Sequence, residues 1–568
     1  MRLPLHAIRF AVSACLALIM PIGAHAQSLS YGDADSGTSA EDGDSDADRQ
    51  SRGRGSDYGV RVIPYIEAAQ IVTADLSPGN DVLTYSRIAA GGDASVNGRN
   101  NGASVSVRYE HYFGWGRKAD DVDTISGIAR GYATLTPGLQ IEAGAMAGRS
   151  RVESSGAAVL GPLADSSDVT NIYSIYAGPT VKTRAGDVQV DGGYRIGYTR
   201  VDSPDALIVA PGQMPVDVFD ESTTHNATMR AVSRAGELLP VGVTVAGGYY
   251  REDISNLDQR VEDFNVRADL SVPVGHDVAL LAGIGYEDVT VSSRDARRDA
   301  NGLPIVGPDG RYVTDKSGPR RIALDTSGLT WDAGVIWRPS RRTELEAHVG
   351  RRYGSTSYYG SFTYAPTSRS SVNLSVYDSV SGFGGQVNRA LGELPVQFTA
   401  NRDILSGNIT GCVAATEGNN CLSGVLGSVR SSTFRARGVK VGYNAEIGRI
   451  TTGFGLGYDR RRFLAARGTI LEAANGLVDE NIWLAGYLNA RLSERSSLST
   501  QAHVNWFLTG EAFGRDARAI GVTTSYGHKL TEKLSAMAAL GIDGVLRDNP
   551  LLEDYWTASA LLGVRYSF

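Results

Sequence analysis

Residues Tyr555 to Phe568 read YWTASALLGVRYSF. Counting back from Phe568, the residues Tyr566, Val564, Leu562, Ala560, Ala558 and Trp556 are apolar or aromatic, while Ser567, Arg565, Gly563, Ser559 and Thr557 fall between them. Side chains of a strand alternate with period two, so this stretch has one greasy and one mostly polar face. An apolar outer face with an aromatic at each end is what the closing strand of a membrane β-barrel requires. A soluble β-sandwich could end on the same pattern, so the remainder of the chain decides between them.

The same alternation recurs upstream. Phe264, Val266, Ala268, Leu270 and Val272 interleave with Asn265, Arg267, Asp269 and Ser271, and Leu329, Trp331, Ala333, Val335 and Trp337 interleave with Thr330, Asp332, Gly334 and Arg338. Leu498, Thr500, Ala502, Val504 and Trp506 do so with Ser499, Gln501, His503 and Asn505. A charged mid-strand face belongs in a water-filled lumen when the other face meets lipid. The 568 residues include 68 Gly and 3 Cys, and the mean hydropathy is −0.16. After the leader no run of 18 apolar residues occurs, so a helical membrane protein is excluded and only a closed sheet satisfies its backbone in lipid. The formal charge of −7 gives no reason to expect a nucleic-acid partner.

Connections alternate in length. Short turns fall at Thr136 to Gly138, Arg184 to Asp187, Pro240-Val241, Pro273 to Asp277, Pro339 to Arg341, Pro366 to Ser371, Gly448-Arg449, Ser493 to Ser497 and Thr531 to Lys533. Longer loops lie near 156–168, 203–222, 296–321, 385–430, 464–480 and 546–554. That is the up-and-down pattern of outer-membrane barrels, with turns periplasmic and loops extracellular. The expected fold is therefore all-β, a transmembrane antiparallel barrel of about 22 strands, within 18 to 24. Tyr109, Tyr112 and Trp115, Tyr249 and Tyr250, Tyr358 and Tyr359, and Trp506 and Phe507 are candidates for its interfacial aromatic girdles.

Ahead of the barrel, residues 1–26 read as a secretory signal peptide, with Arg2 and Arg9, an apolar stretch and Ala24-His25-Ala26 as cleavage site. Val12 to Cys15 resembles a lipoprotein box, but most of the apolar core follows Cys15 instead of preceding it. Residues 27–58 read as a disordered acidic linker. Asp42, Asp44, Asp46 and Asp48 fail as an EF-hand, because Ala47 and Gly53 stand where Gly and Glu are needed. The linker is also too short to supply a globular plug. Residues 59–568 are expected to be the barrel.

The stretch Val335 to Val380, with its Trp-Arg-Pro-Ser turn, Thr/Leu strand, Arg351-Arg352-Tyr353 and second hairpin, resembles β-barrel porins associated with exopolysaccharide and exosortase (PEP-CTERM) loci. The resemblance implies an outer-membrane barrel serving export of a surface polymer, and it supplies no catalytic residues. Gly563, Tyr566 and Phe568 likewise resemble the C-terminal assembly signal of bacterial outer-membrane proteins, except that Leu561 stands where a polar residue is usual. The expected partners are outer-membrane lipid and lipopolysaccharide, the barrel-assembly machinery through that strand, and a polysaccharide or small polar solute.

No HExxH, His/Cys cluster or phosphate loop occurs, so neither metal nor cofactor is expected. Gly453-Phe454-Gly455-Leu456-Gly457 reads as a strand with its glycines facing the lumen, not as a dinucleotide fingerprint. Arg267, Asp269, Asp332, Arg338, Glu344, Glu346, His348, Arg491 and Arg565 are the candidate pore-lining groups. Glu344, Glu346 and His348 share a strand face and could mark an acid/base site, but no nucleophile with a recognisable partner accompanies them. The segment from Gly385 to Arg430 carries more apolar residues than a solvated loop exposes, together with Cys412 and Cys421, whose spacing suits a local disulfide. It is expected to fold inward or to cap the mouth as a constriction. The expected function is a channel or export pore for polar solute, not an enzyme; a structural or surface-binding barrel is the alternative.

Overall fold

The computed structural model describes residues 59–117, 119–152, 158–159, 169–202, 219–414, 420–426, 429–510, 516–548 and 553–568. The leader and linker readings, Asp42 to Asp48 and Cys15 included, lie outside these residues, as do most of loops 156–168 and 203–222 and part of 546–554.

Twenty-two long antiparallel strands form one closed barrel, each paired with its neighbours in sequence order around the wall. Closure is made by the first strand, Gly59–Ser77, and the last, Tyr555–Ser567, whose register runs from Tyr65 opposite Ser567 to Ser77 opposite Trp556. Phe568 extends the seam by donating its N–H to the carbonyl of Pro64 at 3.1 Å. A closed sheet leaves no backbone edge, which is the condition for crossing lipid.

The alternation behaves as the residues dictate. On the closing strand Leu562, Val564 and Phe568 are 69%, 44% and 64% exposed on the outer surface, and Thr557 and Ser559 are buried inward. Phe264, Val266, Leu270 and Val272, and likewise Leu329, Trp331 and Trp337, face outward too. The resulting apolar surface is a lipid-facing band, and the fold is a transmembrane β-barrel.

The two barrel ends differ. At one, the turn end, hairpins are tight: Pro137-Gly138, with Gly138 at φ 85°, sits in the positive-φ position that only glycine takes easily. Turns expected at Pro339 to Arg341 and Pro366 to Ser371 are likewise of two residues, because the strands run to Ser340 and Thr367 and resume at Thr343 and Ser370. At the other, the loop end, connections are mostly long. The shortest described there is Tyr353-Gly354, a two-residue turn with both φ values positive (52° and 67°). There the Tyr353 N–H donates to Glu287 at 2.6 Å and its hydroxyl to Asp263 at 3.0 Å, which holds the strained residue in place.

The aromatic pairs split across the wall. Tyr109, Trp115, Tyr249, Tyr358 and Trp506 are exposed on the lipid side, whereas Tyr112 and Phe507 are buried inside and Tyr250 and Tyr359 border the lumen. Adjacent residues on a strand must point to opposite faces, so at most one of each neighbouring pair can belong to a girdle.

Candidate functional site: a partitioned lumen

Between the strands Ser370–Ser381 and Phe434–Ile447 the chain leaves the wall at the loop end and folds back into the barrel. This insertion contains helix Phe383–Gly392, a three-stranded sheet of Thr399–Arg402, Ile409–Ala414 and Asn420–Cys421, and the one-turn helix Ser423–Leu426. Its apolar residues explain why it is not a solvated loop. Phe383, Val387, Leu391, Leu394, Ile409, Val413, Leu422 and Leu426 are buried together with wall residues Ile128, Ile172, Tyr176 and Val201.

Polar contacts fix the rest. The Glu252 carboxylate accepts the N–H groups of Gly382 and Gly385 at 2.7 and 2.8 Å and the hydroxyl of Tyr250 at 2.7 Å. An anion at a helix N-terminus satisfies amides that have no partner within the helix. The approach is close enough that a Cβ on Gly385 would stand 2.0 Å from the Tyr250 hydroxyl. At its far tip, Asp403 Oδ1 accepts from the Leu405 and Ser406 amides at 2.9 and 2.8 Å, shaping a turn. Ser126 donates to the Gly407 carbonyl (2.9 Å), Arg87 to the Ile404 carbonyl (2.7 Å) and Gln501 to the Arg402 carbonyl (2.6 Å). Leu405 joins a buried cluster with Ile71, Tyr112, Met537 and Leu561, which straddles the closing seam. That cluster gives Leu561 its physical reason: the inward position that is usually polar here faces an apolar plug residue.

Beneath the tip lies a buried ion network. Arg108 pairs with Glu67 at 2.5 Å and Glu110 at 2.7 Å, and Arg87 reaches Glu67 at 3.6 Å and Glu110 at 3.3 Å. Arg565 stands 3.6 Å from both Glu67 and Asp93, with its guanidinium over the Tyr65 ring. The four residues Glu67, Arg87, Arg108 and Glu110 were absent from the sequence expectation, although Ser104, Ser106, Arg108 and Glu110 alternate with Val105, Val107 and Tyr109 in the pattern already recognised elsewhere.

The glycines of Gly453 to Gly457 face inward because bulky partners lie across them. A Cβ on Gly453 would meet the Tyr487 hydroxyl at 2.7 Å, and one on Gly457 the Trp483 Nε1 at 2.6 Å. Trp483 also abuts Gly424 of the insertion, whose carbonyl accepts from Asn481 at 3.4 Å and Arg461 at 3.3 Å.

The insertion thus occupies one side of the lumen. Beside it, along the wall from Val169–Ala185 to Phe434–Ile447, remains a cavity of about 1270 Å³. It runs from Lys182 and Arg338 near the turn end to Tyr353 and Val380 near the loop end. Five of the nine candidate residues meet there in one cluster. Arg267 binds Asp269 and also Asp332 (2.6 Å); His348 Nδ1 lies 2.9 Å from Asp332 and its Nε2 2.8 Å from Glu346. Tyr359 stacks on the imidazole at 4.4 Å and accepts a hydrogen bond from Arg267 at 3.0 Å. Arg338 also borders the cavity and pairs at 2.7 Å with Glu344, which is half-buried below it. Arg565 belongs to the network under the tip, across the lumen, and Arg491 lies exposed at the end of strand Val478–Arg491, outside the cavity.

At the loop end three connections pack on one another, through Leu257, Ala296 and Ala465 with Leu471. Asp295 accepts the Ile470 N–H at 2.8 Å, and Asp258 holds Arg294 at 2.7 Å and Arg320 at 2.8 Å. Within the insertion, Cys412 and Cys421 are direct cross-strand partners in the backbone register; their side chains lie outside the described residues. Among the described residues no group of three or more His, Cys, Asp and Glu is placed to hold a metal ion.

No family model and no curated protein matches the chain. Among solved structures it is similar to the FrpB iron transporter of Neisseria meningitidis (F3-3 variant), at 13% identity over 89% of this chain and 81% of that one, with a TM-score of 0.43. It is also similar to the siderophore receptor PirA of Acinetobacter baumannii (9% identity, 89% and 80% covered, TM-score 0.40). A third is the ferric-catecholate import receptor Fiu of E. coli K12 in its closed form (10% identity, 89% and 81% covered, TM-score 0.42).

Proposed function

We propose that the protein is an outer-membrane passage for a polar solute, narrowed by the insertion that shares its lumen. The observation that carries this reading is the cavity of about 1270 Å³, bordered by charged, amide and hydroxyl side chains, that persists beside the insertion along one side of the barrel. Its turn-end mouth would face the periplasm and its loop end the exterior, where the packed connections would have to part for solute to cross. The finer form of the reading, export of a surface polysaccharide, rests on the resemblance of Val335 to Val380. The closing strand would then present Gly563, Tyr566 and Phe568 to the barrel-assembly machinery, and lipopolysaccharide would contact the outer leaflet band. A Cys412–Cys421 disulfide would pin the inner hairpin; thiol titration with and without reductant reports it.

No bond-making step is part of this reading. Both ring nitrogens of His348 are engaged by carboxylates, Asp332 and Glu346, so neither is available to accept a proton from a nucleophile. The alternative of a non-conducting structural barrel is separated by conductance. In planar bilayers the full chain should open small channels, and a variant lacking residues 390–425 should conduct at least threefold more. Equal conductance would contradict the constriction, and silence of both proteins would favour the structural alternative.

A further inference from the structure

The carboxylates around the cavity are all paired, whereas Lys182 and Arg234 at its turn end have no carboxylate partner among the described residues. Ten acidic residues border it, together with ten Lys and Arg residues and His348. Every one of those ten acids has a cationic side chain within 4.0 Å: Asp191 has Arg230, Asp263 and Glu287 have Arg352, Asp378 has Arg435, Asp459 has Arg461, and Glu346 has His348. Glu142, Asp269, Asp332 and Glu393 are paired likewise, with Arg195, Arg267 and Lys440 as their cations. Between these pairs stand amides and hydroxyls, such as Asn226, Asn265, Asn373, Gln397, Thr228 and Ser361.

A cationic solute entering such a space sheds water and finds no wall carboxylate waiting for a counter-charge. To bind, it must break an existing pair, whose remaining member is then left uncompensated. An uncharged solute with many hydroxyls faces no such penalty. Each hydroxyl both donates and accepts, which matches side-chain amides and the free lone pairs of paired carboxylates. Tyr250 and Tyr359 along the wall add apolar surface for the C–H faces of a sugar ring.

Building on the passage reading above, we infer that the cavity takes an uncharged polyhydroxylated solute, a neutral saccharide, in preference to an amino sugar of the same size. The pairing depends on specific residues. Arg267 serves Asp269 and Asp332 together, so its loss leaves both carboxylates without that cation and makes the cluster more acidic.

The test uses the purified full chain in liposomes and measures entry of labelled glucose and glucosamine, which differ in charge far more than in size. Glucose should enter at least threefold faster than glucosamine, and Arg267→Gln should raise the glucosamine-to-glucose ratio at least twofold. Entry of glucosamine at the rate of glucose or faster would overturn the inference while leaving the passage intact. If neither enters and no conductance is seen, the passage reading itself fails and the inference falls with it. Should Arg267→Gln not assemble, Arg338→Gln, which frees Glu344, carries the same expectation.

Discussion

Replacement of Arg87 by Met is expected to destabilise the barrel by about 3 kcal/mol, the lower end of what breaking a buried ion pair costs. The side chains of Arg87, Glu67 and Glu110 are 0%, 3% and 1% exposed, so water cannot take over the lost partner. Arg108 remains to serve both carboxylates, which is why the cost stays near that lower end. The Ile404 carbonyl loses its donor in the same step, so the tip of the insertion should loosen with the wall. The measurement is the temperature at which the detergent-solubilised protein loses its compact, unboiled migration on a denaturing gel. Arg87→Met should lower it clearly, and Arg87→Met with Glu110→Gln should recover part of the loss by removing the excess negative charge that Arg108 alone does not balance. An unchanged temperature in the single variant would show that the network contributes little.

Removal of Phe568 should reduce membrane-assembled barrel more than tenfold while export to the periplasm continues. Phe568 sits on the lipid face at the turn end, edge-to-face with Tyr566 at 5.1 Å, and its N–H completes the seam with Pro64. One backbone bond and one ring contact are each worth on the order of 1 kcal/mol, too little to abolish a sheet of this size. A large loss in cells with normal refolding of the purified truncated chain in detergent would therefore point to recognition of the strand during assembly. Normal assembly in cells would contradict that role for Gly563, Tyr566 and Phe568.

The wall was legible because each strand writes its two faces into alternate residues. Thr557 to Val564 and Phe264 to Val272 required nothing beyond counting. Partners were not legible, since the pairing that joins Arg267 to Asp332 and His348 to Glu346 depends on register between strands and not on either strand alone. Glu344, Glu346 and His348 could be placed on one face, yet only the structure separates Glu344, held by Arg338, from the His348 cluster. The insertion was visible as an excess of apolar residues between Gly385 and Arg430. Its seat was not, because it rests on contacts such as Ser126 with Gly407 and Asn388 with Thr199, hundreds of positions apart. Leu561 shows the converse: an apparent departure from a strand pattern was a sign of something apolar inside the barrel.

The insertion lies within the closed barrel, with its tip against the inner wall at the seam. A Cβ on Gly541 would stand 2.4 Å from Leu405 Cδ1, so cysteines at these two positions would be within disulfide reach. In a Cys412→Ser, Cys421→Ser background, Leu405→Cys with Gly541→Cys should cross-link on mild oxidation of the assembled barrel, giving a reductant-sensitive shift of the denatured chain. Absence of that cross-link, together with cleavage near residue 405 by protease added outside intact cells, would place the insertion outside the lumen and contradict the account.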